Sequence, residues 1–304
     1  GVIFLKTLLL KYFEICKIFK AEIKTSETEK DDLREKMEDA YNKYFRKLKV
    51  KRIKVPKAFH VPFRLKAKPR FEALILNIPV DKVYAKSKDY GVSITVYLIS
   101  LYVMSLQNIF HNLPTAAKRR AKKTIRIEVP MNLRRMFPTK TMRNFSLYVL
   151  PEIDLRLGYY KFEEILKIVY HQMQLETDKK LINKMISRNV SGEKKALVRG
   201  MPLLLKSIFL SRLYINATKH YSGVVTNYGK IDFPEVISNC IDRFIFTPPP
   251  PNKVLRINCG VIGYQNNLTL SFGNITVSKD LEGQFVRLLM KDGISVKIIK
   301  KING

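Results

Sequence analysis

The sequence predicts a mixed α/β protein, one β-sheet flanked by helices. Three observations lead there. "ITVYLISLYVMSLQNIF" is long, apolar-rich and helical in its spacing. "KKTIRIEVPMN" alternates isoleucine with charge, the period of a strand. The second half crowds several short apolar runs around turn signals such as the "NN" of "GYQNNLTLSF". With 304 residues, 46% hydrophobic and 27% charged, the chain has a globular composition, long enough for one two-lobed domain or two domains.

In chain order, "GVIFLKTLLLKYFEICK" places Leu5, Leu8, Leu9, Tyr12, Phe13 and Cys16 on one helical face. It has no methionine, cap or incoming loop before it, so the start is expected to be a cut. A charged stretch up to Pro56 reads as a solvated helix. "PKAFHVPFRLKAKP" holds three prolines and reads as an extended connector. "RFEALILNIPV" is a strand. A short helix, a turn at Gly91 and a long buried helix capped by Ser93 or Thr95 follow. "KKTIRIEVPMNLR" and "NFSLYVLPEID" are strands, and residues 161–190 form one long helix with a stripe at Ile165, Ile168, Val169 and Met173. "MPLLLKSIFLSRLY" is a mostly buried helix. "YSGVVTNYGKID", "RFIFTPPPP", "LRINCGVIGYQNNLTLSFGNI" and "SVKIIK" supply the remaining strands, with the helix "LEGQFVRLLMKDG" inserted before the last.

Several function classes fall away. No run of about 18 uninterrupted apolar residues marks a membrane span. Cys16, Cys240 and Cys259 are odd in number and widely spaced, as expected in a reducing cytoplasm. A net charge of +30 suggests nucleic acid, but the lysines spread along the whole chain and no nucleic-acid-binding signature is present. His60, His111, His171 and His220 are scattered, without metal-ligand spacing. There is no GxSxG elbow, and "GVIGYQNN" does not precede a helix as a phosphate loop must.

What stands out are four polar clusters in loops beside strands: "VPMNLRR", "TMRNF", "RNVSGEKKALVRGMP" and "TNYGKIDFP". Asn132 and Arg134 follow a strand, where side chains can face a cleft. Arg143 and Asn144 precede the next strand. Asn227 and Gly229 break a strand-like run and imply a backbone bend. The same residues can equally serve only to satisfy loop carbonyls.

These clusters, in this order, resemble the bacterial alcohol-acetyltransferase-like branch of the coenzyme-A-dependent acyltransferases. That superfamily includes chloramphenicol acetyltransferase, peptide-synthetase condensation domains and wax-ester synthases. The resemblance runs from "GVIFLKTLLLKY" through "PKAFHV", "TIRIEVPMNLRRMFPTKTMRNF", "KFEEILKIVYHQMQLE", "RGMPLLLKSIF" and "TNYGKIDFPE" to "LEGQFVRLLMKDGISVKI". It implies a chloramphenicol-acetyltransferase-like fold in which residues 1–70 are a remnant of the first lobe and 71–304 are the second. The family's signature HHxxxDG would end at or just before Gly1, so the second histidine, the general base, is expected outside this chain, and the chain alone is expected to be inactive.

The resemblance further implies acyl transfer from acyl-CoA to a small alcohol or amine, with no tightly bound cofactor or metal. The absent first lobe would be an intramolecular partner, and its docking face should be apolar. "TNYG" resembles the family's SNLG segment bordering the substrate tunnel, which makes Thr226, Asn227 and Gly229 candidates beside the oxyanion. Asn132, Arg134, Arg143 and Asn144 would border the cleft. Lys118, Arg119, Arg120, Lys122 and Lys123 are candidates for coenzyme A phosphates. A condensation-type domain using a carrier-protein thioester and a noncatalytic binding module of the same fold are the alternatives.

Overall fold

A computed structural model describes residues 34–48, 55–194, 200 and 202–303. The expected opening helix, with Cys16, lies outside the described residues. Among them the helices, after a short α1 (Ala40–Lys43), are α2 (Val80–Asp89), α3 (Ile94–His111), α4 (Thr115–Arg120), α5 (Phe162–Glu176), α6 (Lys179–Glu193), α7 (Leu203–Thr218), α8 (Glu235–Ser238) and α9 (Asp280–Lys291). The strands are β1 (Glu72–Pro79), β2 (Thr124–Asn132), β3 (Ser146–Val149), β4 (Glu152–Asp154), β5 (Gly223–Ile231), β6 (Ile257–Tyr264), β7 (Asn267–Asn274) and β8 (Lys297–Asn303). They form one mixed sheet in the order β3-β2-β5-β6-β7-β1-β8, with β4 also on β2. Only β2–β5 and β5–β6 are parallel.

The sheet is built around α3. Ser93 caps it by accepting from the Val96 N–H. The helix lies between one sheet face and α5 and α9, so 14 of its 18 residues are buried and it is apolar on nearly every side. Its polar groups are answered internally. Ser100 and Ser105 donate to carbonyls one turn back, Tyr102 Oη donates to the Ile257 carbonyl at 2.9 Å, and Gln107 Nε2 donates to that of Tyr160 at 2.8 Å. Among the described residues, α3 alone is long and apolar enough to cross a membrane, and 78% of it is buried inside the fold. Tyr102 presses so closely on β5 that a Cβ on Gly223 would lie 2.6 Å from its ring.

Several sequence expectations need correction. Residues 161–190 are two helices, because Asp178 caps a second one by accepting from the Lys180 and Leu181 N–H groups at 2.9 and 3.3 Å. The described part of the charged stretch is two short helical turns, 34–37 and 40–43, mostly exposed as expected but anchored to the body on one side. Ala40 is buried with Leu133, Phe137, Phe145, Ile182 and Ile186, and Tyr41 and Tyr44 pack on them. "RFIFTPPPP" is irregular, since four consecutive prolines offer no ladder donors. It covers the sheet face opposite α3, where Phe246 and Pro248 fit only because residues 260 and 273 are glycines. The β6–β7 turn is Gln265–Asn266, with Gln265 at φ 48°, and Asn267 already pairs with Tyr264. Helix α7 is exposed instead of buried: Leu203 is 86% and Leu204 81% accessible, and of its residues only Thr218 is buried.

The expected connector is extended, yet it packs as core. The Ala58 and Phe59 N–H groups donate to the Lys219 and Thr124 carbonyls, and Phe59 sits edge-on to Phe110. Two ionic contacts hold the edges of the body. Arg126, 2% exposed, donates to the Pro56 and His220 carbonyls at 2.9 and 2.6 Å and pairs with Glu152. On β1, Glu72 pairs with Lys66 and, at 2.8 Å, with Lys279. Burial raises its pKa, but the two ammonium groups outweigh that and hold the carboxyl below its ordinary value.

Two outcomes follow. Gly223→Ala is expected to cost about 1–3 kcal/mol through overpacking against Tyr102; an unchanged urea midpoint would contradict the close approach. A depressed carboxyl pKa contributes stability that is present above the unfolded-state value and is lost as pH falls through the lowered one. Glu72→Gln should therefore be less stable than the parent at neutral pH, and the gap should close below about pH 4. A gap independent of pH in denaturation series would show that the pair contributes no net charge stabilisation.

Candidate functional site

The site begins with a missing hydrogen bond. On the β5 side of β2, the Arg126 N–H donates to Ser222 Oγ and its carbonyl accepts from the Ser222 N–H at 2.6 Å. The Ile127 N–H points the other way, to the Pro151 carbonyl at 3.0 Å. Even-numbered residues of β2 therefore present their backbone donors to β5. The ladder runs through Ile127↔Gly223 and Glu128↔Val224 and then stops. The next donor on that side belongs to Pro130, which has none. Beyond it β2 pairs only with β3, from Val129↔Val149 to Asn132↔Ser146, and β5 only with β6. The carboxyl ends of two adjacent parallel strands thus separate, the place where open α/β sheets receive ligands.

Thr226, Asn227 and Gly229 lie on β5 beyond this separation. Gly229 has φ +83°, and the β5–β6 register shifts between Asn227 and Lys230, which is the bend expected from the sequence. Asn227 pins that bulge. Its Oδ1 accepts from the Gly229 N–H at 2.9 Å, and its Nδ2 donates to Thr95 Oγ1 at 2.9 Å, at the start of α3. Asn227 thus points to the α3 side with both amide ends engaged. Thr226 points to the opposite face, and its Oγ1 is buried with no partner in the fold.

Alternation defines what surrounds it. Ile127, Val129 and Val225 join the core under α3, so Glu128, Pro130, Val224 and Thr226 share the other face. Tyr148, opposite Pro130, lies on that face too. Burial pushes the Glu128 pKa up against an opposing influence of Tyr221, and Tyr221 is pushed up by burial, with Glu128, Tyr214 and Tyr148 adding to the rise. Tyr228, 39% exposed, stands edge-on to Phe246 at 5.1 Å. Glu128 and Tyr221 had not been singled out in the sequence. The one available signal was an acidic residue in the middle of a strand that pairs on both sides.

The remaining expected residues fall into two groups. Asn132, Arg134, Arg143 and Asn144 gather in one loop cluster at the carboxyl end of β2. Asn132 Oδ1 accepts from the Arg134 N–H and guanidinium at 3.1 and 3.2 Å, while Arg134 also donates to the carbonyls of Thr141 and Arg143. Arg134 is thus committed to holding the loop. Arg143 and Asn144 are exposed, and Asn144 Oδ1 accepts from Ser146 Oγ at 2.7 Å. Lys118, Arg119 and Arg120 end helix α4, beside the amino end of β2, about 20 Å of strand from Pro130. Lys123 donates to the Lys118 carbonyl and lies 4.8 Å from the Phe110 ring centroid, while Arg119, Arg120 and Lys122 are exposed.

His60 and His220 bond to the backbone of Thr218 and Pro56, and burial lowers the pKa of His60. Among the described residues no cluster of His, Cys, Asp and Glu is suited to a metal. Cys259 is buried in the sheet, and its thiol pKa is pushed up by burial.

No family model and no curated protein matches the chain. Among solved structures, the condensation domain mediating chain release from the enacyloxin polyketide synthase is 13% identical, with a TM-score of 0.44, over 78% of this chain and 44% of that one. The wax ester synthase/diacylglycerol acyltransferase from Marinobacter aquaeolei VT8 is 12% identical, with a TM-score of 0.43, over 79% and 52%. The TRI3 trichothecene 15-O-acetyltransferase from Fusarium sporotrichioides is 9% identical, with a TM-score of 0.47, over 83% and 49%. The chain spans about half the length of these structures.

Arg134→Lys is expected to loosen the 139–143 loop, because an ammonium cannot reproduce the planar fork that reaches Asn132, Thr141 and Arg143 together. A loss of about 1–2 kcal/mol is expected, with faster amide exchange confined to that loop. Unaltered exchange there would show that the loop holds without the fork.

Proposed function

We propose that this chain carries the sheet of an acyltransferase, one that moves an acyl group from acyl-CoA to a small alcohol in a chloramphenicol-acetyltransferase-like architecture. The observation that carries the reading is Thr226 Oγ1, buried and unbonded on the face where β2 and β5 part. Two of the motifs behind the family resemblance, "VPMNLRR" and "TNYG", supply the two sides of that separation. The proline of the first ends the ladder, and the bulge of the second turns β5 away at Gly229.

In this reading the acceptor hydroxyl loses its proton to a histidine, its oxygen attacks the thioester carbonyl, and the carbon–sulfur bond breaks to release the thiol. Negative charge collects on the carbonyl oxygen in between. A fixed hydroxyl donor at Thr226, with no competing partner in the fold, suits that charge and needs no reorganisation. HHxxxDG does not occur among the 304 residues, and His60 and His220 are occupied by backbone contacts. The activity is therefore proposed for this chain joined to that motif, and the chain by itself is proposed to be inactive.

The test is thiol release from acetyl-CoA in the presence of a panel of alcohols, in a protein carrying HHxxxDG ahead of this sequence. Thr226→Val is expected to lower kcat about 10- to 100-fold with little change in KM. Full turnover in that variant, or equal turnover by residues 1–304 alone, would overturn the assignment.

A further inference from the structure

At the end of the sheet where β1 and β6 begin and β7 ends, the chain leaves an open cavity of about 360 Å³. It shares no residue with the site at the carboxyl ends of β2 and β5. Phe71, Pro251 and Ile275 give it apolar walls. Phe71 comes close to the sheet because residue 273 is glycine: a Cβ there would meet its ring at 3.1 Å.

The charged lining has one sign. Lys68, Arg70 and Lys253 border the cavity, and no acidic residue does. Among the described residues, none of the three has an ion-pair partner. The acid nearest in sequence, Glu72, is already held by Lys66 and Lys279. Arg70 Nε donates to the Lys66 carbonyl at 3.0 Å, while its two terminal nitrogens are unpaired among the described residues.

A neutral donor completes the lining. Asn252 Oδ1 accepts from the Val254 and Leu255 N–H groups, both at 2.8 Å. That pair assigns the oxygen end of the side chain, because the reverse placement would set an NH₂ group against two donors. Asn252 Nδ2 is thus the other end, buried and without a hydrogen-bond partner in the fold. An unpartnered buried donor costs free energy, and an acceptor on a ligand would recover it.

An anion with a planar head and an apolar body matches this set. The terminal nitrogens of a guanidinium meet a carboxylate as a fork, and two ammonium groups at the rim add attraction. The cavity has the size of a small-molecule site, and its phenylalanine and proline walls suit a ring.

We propose that the cavity beside Asn252 binds a small aromatic carboxylic acid as its carboxylate, with Arg70 as the charged anchor and Asn252 Nδ2 as the neutral donor. This binding does not depend on the acyl-transfer reading.

Calorimetric titration of the 304-residue chain with 2-naphthoate, 2-naphthamide and acetate tests it. A salt concentration of about 0.15 M screens the general attraction of anions to a chain of net charge +30. 2-Naphthoate is expected to bind, and 2-naphthamide and acetate to bind at least about 10-fold more weakly. Asn252→Asp keeps the contacts to Val254 and Leu255 but turns the free donor into an acceptor. It should weaken 2-naphthoate by about 10-fold or more at an unchanged melting temperature.

Arg70→Gln removes the fork without touching that turn and should weaken 2-naphthoate comparably. Lys291→Gln, which removes one charge at the far end of α9, should leave the affinity within about twofold. Equal binding of 2-naphthamide or acetate, or no binding of 2-naphthoate at millimolar concentration, would overturn the proposal. So would an affinity left intact by either cavity variant, or an equal loss in Lys291→Gln. If circular dichroism shows Asn252→Asp unfolded, Arg70→Gln decides alone.

Discussion

The contact on which the fold depends is that of helix α3 with the sheet. It buries 14 residues at once and, through Tyr102, fixes where β5 can lie, because the strand approaches the tyrosine ring at Gly223, where no side chain intervenes. The Tyr102 hydroxyl reaches past β5 to the Ile257 carbonyl at the start of β6, so one side chain sets the depth of two neighbouring strands. Apolar burial supplies the attraction, and the missing Cβ supplies the closeness. At the amino end of the same helix, Thr95 receives Asn227, so the bulge in β5 is referenced to α3 as well. Everything at the candidate site is thus held from the core side of the sheet.

The opposite face is held differently. There Arg126 gathers the Pro56 and His220 carbonyls with the Glu152 carboxylate, so a strand, a returning turn and the extended 55–61 segment meet on one buried guanidinium. A planar cation with five donors can satisfy three acceptors in different directions, and an apolar residue could satisfy none of them. The proline-rich loop at 248–251 covers the neighbouring strands β6 and β7. Between the Arg126 clamp and that loop lies the stretch of β2 and β5 where pairing ends.

Much of this was legible in the sequence, and the exceptions have physical causes. The α3 cap at Ser93, the turn at Gly91 and the alternation of β2 are local signals, and they appear where the pattern placed them. The break at Asp178 was missed because the apolar stripe continues from α5 into α6, and only the capping carboxylate marks the boundary. "RFIFTPPPP" has strand-like residues, but its role is decided by the glycines on β6 and β7 that it covers, far away in sequence. Helix α7 has the composition of a core helix while its side chains stay exposed, and composition cannot distinguish the two cases.

The candidate site was half legible for a related reason. Thr226, Asn227 and Gly229 form a short motif, and a bend at Gly229 follows from the residue type itself. Glu128 and Tyr221 come near one another through the parallel pairing of β2 with β5, which joins segments about ninety residues apart in the chain. Pro130 carried its meaning in plain view, since a proline in an inner strand must leave one side of the ladder unanswered. Which side it is depends on register, and register is set by Arg126 meeting Ser222 across the two strands. The parting of the sheet is therefore a consequence of one residue's missing donor, but its location and what faces it belong to the fold as a whole.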